Sequence, residues 1–143
     1  MNSSYGIIRL YGITQDPETK NYMIVLACEK CNYVCYAVHF QQNFENWTSG
    51  NDGIDKFIQD SQLSAHYNLS EALEWIPFNR FSNVSYNTKD EFGEVYNANW
   101  VDGSIWKWDK KNQNWLRRDQ NMVVTLKSLD DSKNITSEFM NKV

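Results

Sequence analysis

The sequence predicts an α+β fold, on three observations. Two apolar runs of β-forming residues near the start are separated by a polar turn. Aromatic residues in the middle of the chain recur every three or four positions, the spacing of one helix face. Beyond Pro77, strand-like runs alternate with turn residues and give way to helical spacing at the C-terminus.

In chain order, residues 7–11 (Ile-Ile-Arg-Leu-Tyr) form the first run and Gly12 ends it. Residues 22–27 (Tyr-Met-Ile-Val-Leu-Ala) form the second, and the turn formers around Pro17 make the pair a hairpin. The second run is uninterrupted, which suits a central strand. Phe40, Phe44 and Trp47 then share a helix face. The stretch 49–53 breaks it, and Ile54, Phe57, Ile58 and Ser61 begin a second helix with Asp52 as its expected cap. A third short helix is expected over 70–75, ended by Pro77 because the residue before proline avoids the helical region.

Strands are expected over 81–87 and 93–100, with a turn at Val101-Asp102-Gly103 and a sheet extension over 104–108. Residues 109–120 read as a polar insertion carrying Trp115, and 122–129 as the clearest strand. Ile135, Phe139, Met140 and Val143 line a final helix after Asp130-Asp131-Ser132. The expected division is a hairpin (1–27), a cysteine-containing helical segment (28–77) and a β-β-β-α unit (78–143).

Composition narrows the function. Hydrophobic residues at 41% against 22% charged allow a packed core, and aromatics at 15% can carry much of its apolar area. The net charge of −4 gives no electrostatic reason for a nucleic-acid partner. No apolar run approaches the roughly 20 residues that span a bilayer, so no membrane partner is expected. The first residues lack a basic region followed by an apolar core, which points to the cytoplasm. Asn-x-Ser/Thr sequons at Asn46, Asn68, Asn83 and Asn134 then read as chance in an Asn-rich chain.

Cys28, Cys31, Cys35 and His39 supply four donors, enough for tetrahedral zinc. On one helix they cannot all converge without a bend. The favoured reading is therefore reduced, partly buried thiols with no metal, and zinc at those four residues is the alternative.

One resemblance spans most of the chain. Phe40-Gln41-Gln42-Asn43-Phe44-Glu45-Asn46-Trp47, Ile54-Asp55-Lys56-Phe57-Ile58-Gln59, Leu73-Glu74-Trp75-Ile76-Pro77-Phe78 and Leu126-Lys127-Ser128-Leu129 resemble kinase-like proteins of arbuscular mycorrhizal fungi. From about Leu73 the chain looks like the start of a protein kinase domain. The first hairpin resembles strands four and five of the same lobe, which in the family follow the αC helix. The resemblance therefore implies an incomplete or permuted kinase N-lobe: an antiparallel sheet, an αC-like helix and a helical connection. In the permuted case Ile24 and Leu26 would share a sheet with Val124 and Leu126.

The family transfers phosphate from ATP to protein side chains. This chain has no His-Arg-Asp catalytic loop and no Asp-Phe-Gly metal motif, so no catalytic residue is assigned and inactivity is expected. The resemblance assigns Gly93, Val95 and Lys127 to the nucleotide: the last glycine and the valine of the phosphate loop, and the phosphate-pairing lysine. Thr88 and Asp90 stand at the first two glycines, where side chains obstruct the close backbone approach that phosphates require. Asp90 and Glu91 add repulsive charge. Thr125 stands where the family commonly has alanine against the adenine. Lys142 takes the place of the αC glutamate, with Glu138 four residues earlier. The expectation is weak ATP binding at best, magnesium only with nucleotide, and a protein or second kinase lobe as partner. The alternative is a non-catalytic, pseudokinase-type interaction module.

Overall fold

The computed structural model describes residues 8–29, 31, 35–91 and 93–128. The chain divides into two compact units, Met1–Glu74 and Trp75–Val143. The α+β class holds, with antiparallel strands and two α-helices among the described residues. The helix expected over 135–143, with Glu138 and Lys142, lies outside the described residues.

In the first unit, strands β1 (Ile8–Gln15) and β2 (Tyr22–Cys28) pair antiparallel, with a register shift between Leu10 and Gly12. Asp16 builds the turn. Its carboxylate accepts the N–H groups of Glu18 (2.8 Å) and Thr19 (3.3 Å), and its carbonyl accepts that of Lys20. These local bonds close the chain reversal that Pro17 begins. Helix α1 spans Tyr36–Gln42 and a 3-10 turn follows at Phe44–Asn46. Helix α2 spans Asp52–Leu63. Its cap is Asn51 rather than the expected Asp52: the Asn51 side chain accepts the Ile54 N–H at 3.0 Å. Asp55 then braces the entry, accepting from the hydroxyls of Thr48 and Ser49 and from the Ser49 N–H.

Ile58, Gln62 and Leu63 bury one side of α2, while Lys56 and Asp60 form an exposed pair one turn apart at 2.7 Å. The third expected helix is only a 3-10 turn, Leu69–Glu71, closed by the Asn68 side chain. That side chain takes the Ser70 N–H, a local alternative to helix propagation. The buried cluster of this unit is small: Cys28, Cys35, Ala37 and Leu63, with Leu26, Cys31, Val38 and Phe44 packed against it.

The second unit holds five strands among the described residues. β3 (Phe81–Lys89), β4 (Glu94–Trp100) and β7 (Met122–Lys127) form one antiparallel sheet with β4 in the centre, where Val95 and Ala98 are buried. β5 (Ser104–Asp109) and β6 (Asn114–Arg118) form a separate hairpin. Residues 104–108 therefore do not extend the main sheet, and the presumed polar insertion contains a strand. Trp108 and Trp115 are directly paired across it, with ring centroids 4.9 Å apart and nearly perpendicular. Cross-strand aromatic pairs of this kind stabilise a hairpin without further sheet neighbours. The β4–β5 turn is held by a two-pronged ion pair from Arg80 to Asp102, at 2.9 and 2.5 Å. Gly103 completes it at φ +73°, where a Cβ would lie 2.1 Å from the Arg118 carbonyl oxygen.

Permutation of a single five-stranded sheet fails. Ile24 and Leu26 pair with Ile13 and Leu10, whereas Val124 and Leu126 pair with Ala98 and Tyr96 in another sheet. Nor is β2 a central strand, since its sheet has two members and Tyr22 and Ile24 are exposed. The β3 edge of the larger sheet is irregular. β3 carries register shifts between Ser82 and Ser85 and again between Tyr86 and Thr88, and Asn83 has φ +53°. Bulges of this kind twist an edge away from a new partner. No helix among the described residues is long and apolar enough to cross a membrane.

Candidate functional site

Two places gather chemically capable side chains, one in each unit. In the first unit the sequence brings three cysteines to a junction of elements. Cys28 is the last residue of β2. Cys31 lies in the following turn, with its N–H on the Cys28 carbonyl at 3.4 Å. Cys35 is the N-cap of α1 in extended backbone, and its side chain makes no capping bond. The chain then runs out along α1 and returns along α2, which packs against it. Ala37 and Ala65 are fully buried, and their small side chains allow this close return. His66 follows directly, and its carbonyl accepts the Tyr36 N–H at 2.7 Å, tying the loop to the start of α1.

All three sulfurs converge on one nitrogen. The Sγ atoms of Cys28, Cys31 and Cys35 lie 3.3, 3.5 and 3.4 Å from His66 Nδ1. The four donor atoms lie within 4.8 Å of one another, with Cys28 and Cys35 buried. All three thiols are free of disulfides. Burial pushes the Cys35 thiol up to about 12, and desolvation likewise raises Cys31. In the absence of a counter-charge the pocket thus disfavours thiolates.

In the alternative reading of the cysteines as a metal site the fourth donor is His39, whereas the structure brings His66 to the three sulfurs. His39 sits in the last turn of α1. Cys35 has φ −111° and ψ 121°, so helical phasing does not reach back to it and the spacing of four brings no convergence. The only sequence signal for His66 was its being the other of two histidines.

In the second unit, β4 and β7 place Val95 directly opposite Lys127. Gly93 precedes β4 with φ +147°, a conformation side chains rarely adopt. The turn closes on itself: the Asp90 N–H donates to the Gly93 carbonyl at 2.9 Å, and the Gly93 N–H donates to the Asp90 carboxylate at 3.3 Å. Asp90 also pairs with Lys127 at 3.2 Å. Gly93, Val95 and Lys127 are therefore neighbours, with Asp90 joined to both the glycine amide and the lysine. Thr125 and Thr88 are exposed.

A groove of about 480 Å³ lies beside this turn, lined by Phe78, Phe81, Val84, Tyr96, Leu126, Lys127 and Ser128. Tyr96 and Leu126 are a directly opposed pair, one step along from Val95 and Lys127. Successive strand residues alternate faces, so the groove belongs to the sheet face opposite Val95 and Thr125. Lys127 is the one expected nucleotide contact that also lines it. The chain matches no protein-family model, no curated protein and no solved structure.

Proposed function

We propose that the chain is a non-catalytic, pseudokinase-type binding module whose second unit is an incomplete kinase-like N-lobe. One observation supports the reading: Asp90 occupies the donors that the kinase resemblance assigns to the nucleotide. Its carboxylate takes both the Lys127 ammonium and the Gly93 N–H. A phosphate group arriving at this turn must displace a carboxylate that already satisfies both donors, and it meets Asp90 and Glu91 as like charges. Nucleotide binding is accordingly weak, and magnesium enters only with the nucleotide.

The test is titration calorimetry with Mg-ATP on wild type, Asp90→Gly and Lys127→Ala. Wild type binds in the millimolar range. Asp90→Gly binds up to about fivefold tighter, since an exposed pair of this kind contributes up to about 1 kcal/mol. Lys127→Ala loses the remaining affinity. Micromolar binding by wild type contradicts the proposal. So does transfer of labelled phosphate from ATP that disappears in Lys127→Ala.

A further inference from the structure

We propose that Cys28, Cys31, Cys35 and His66 ligate one zinc ion, a structural metal centre that holds the first unit together. The proposal is independent of the reading of the second unit. It begins from a mismatch between the geometry and hydrogen bonding. An imidazole Nδ1 accepts one S–H or donates one N–H. Three sulfurs nevertheless lie at nearly equal distances from it, 3.3 to 3.5 Å. One nitrogen cannot serve three thiols as hydrogen-bond partner, whereas one cation at their centre serves all four donors.

The distances also have the right size. Zinc–sulfur bonds of about 2.3 Å and zinc–nitrogen bonds of about 2.0 Å at tetrahedral angles put neighbouring S and N atoms about 3.5 Å apart. The donor set selects the metal class: three thiolates and an imidazole suit zinc, and hard cations such as calcium and magnesium prefer oxygen. Four protein donors leave no open position for water or substrate, which makes the centre structural rather than catalytic. Binding sends three thiol protons to solvent and changes no oxidation state.

The placement of the ligands gives the ion its task. Cys28 ends β2, Cys35 starts α1 and His66 follows α2, so one ion ties three elements across a loop that closes 31 residues after Cys35. Among the described residues the unit buries Ala37, Phe40, Ile58, Gln62, Leu63 and Ala65 beside Cys28 and Cys35, so two of the four donors belong to its core.

The experiment measures metal content by mass spectrometry on the full chain, expressed with zinc and purified under reducing conditions without chelator. It is paired with cobalt titration of the metal-free protein. Wild type and His39→Ala are expected to carry one zinc per chain and to show thiolate-to-cobalt charge transfer with tetrahedral visible bands. Cys35→Ser and His66→Ala lose the stoichiometric zinc. Because these two variants can also lose their fold, His66→Cys is the decisive companion: it restores four donors, retains one zinc and shifts the cobalt bands towards those of an all-thiolate site. Wild type without zinc and without a cobalt spectrum overturns the proposal. Iron in place of zinc, His66→Ala with wild-type zinc content, or His66→Cys without metal each overturn it as well.

Discussion

The two units of this chain solve the same problem differently. The described residues of the second unit are held by strand ladders: β4 is bonded on both sides, Val95 and Ala98 are buried in it, and the tryptophan pair closes a second hairpin. The described part of the first unit has a hairpin with exposed apolar side chains, Ile13, Tyr22 and Ile24 among them, and two helices that bury Ala37, Phe40, Ile58 and Leu63 beside Cys28 and Cys35. Ladder bonds and cross-strand pairs are distributed, so losing one leaves the rest. A cluster built on four converging side chains is concentrated, and it fails together. In the first unit the cluster of Cys28, Cys35, Ala37 and Leu63 holds two of the sulfurs themselves, so apolar burial and side-chain convergence depend on the same point.

The largest effect expected from this contrast is selective loss of the first unit on metal removal. Structural zinc in small modules contributes on the order of 10 kcal/mol, enough to decide folding. Chelator added to the full chain should collapse the amide NMR dispersion of residues 8–74 while residues 75–128 keep theirs. Uniform loss, or no loss at all, breaks the comparison.

A single point in the second unit should come next. Gly103→Ala places a Cβ in backbone space, 2.1 Å from the Arg118 carbonyl oxygen, and forces alanine to φ +73°. A loss of about 2–4 kcal/mol is expected from strain and overpacking together. Urea unfolding followed by tryptophan fluorescence measures it. A change under about 0.5 kcal/mol would mean that the β4–β5 turn is not the constraint it looks like.

The smallest effect sharpens the view that ladders, not surface charge, hold this unit. The Arg80 guanidinium holds the Asp102 carboxyl below the usual carboxylate range. A depressed folded value means stability that is fully present above the unfolded pKa of about 3.9 and is lost as pH falls through the folded one. Both side chains are partly exposed, so the contribution is about 1 kcal/mol or less. Asp102→Asn should therefore lower stability slightly at neutral pH and flatten the acid limb of the curve. A loss of several kcal/mol would make the ion pair, rather than the ladders, the main support.

Strand and helix types were legible along the chain because they depend on neighbours in sequence. Residues 22–27, 81–87, 94–100 and 122–127 lie in strands, with Gly93 and Ser128, expected in them, falling just outside, and the helix begun by Ile54 and Phe57 is there with its Asn cap one residue early. The Val101-Asp102-Gly103 turn was readable for the same reason, since glycine follows an aspartate whose carboxylate can be anchored. The candidate site was only half legible. Cys28, Cys31 and Cys35 announce themselves by spacing, but the fourth donor does not.

By itself, then, the sequence determined the local periodicities, the turns and the three sulfur donors, because each is written within a few residues. Only the tertiary structure decided that His66 and not His39 completes the cluster, because that choice depends on α2 returning antiparallel to the start of α1. It also decided that β1 and β2 stay a two-stranded sheet and that β5 and β6 close on each other. Strand pairing is a contest between edges, and neither the bulges that close one edge nor the cross-strand tryptophans that favour another exist until the chain has folded.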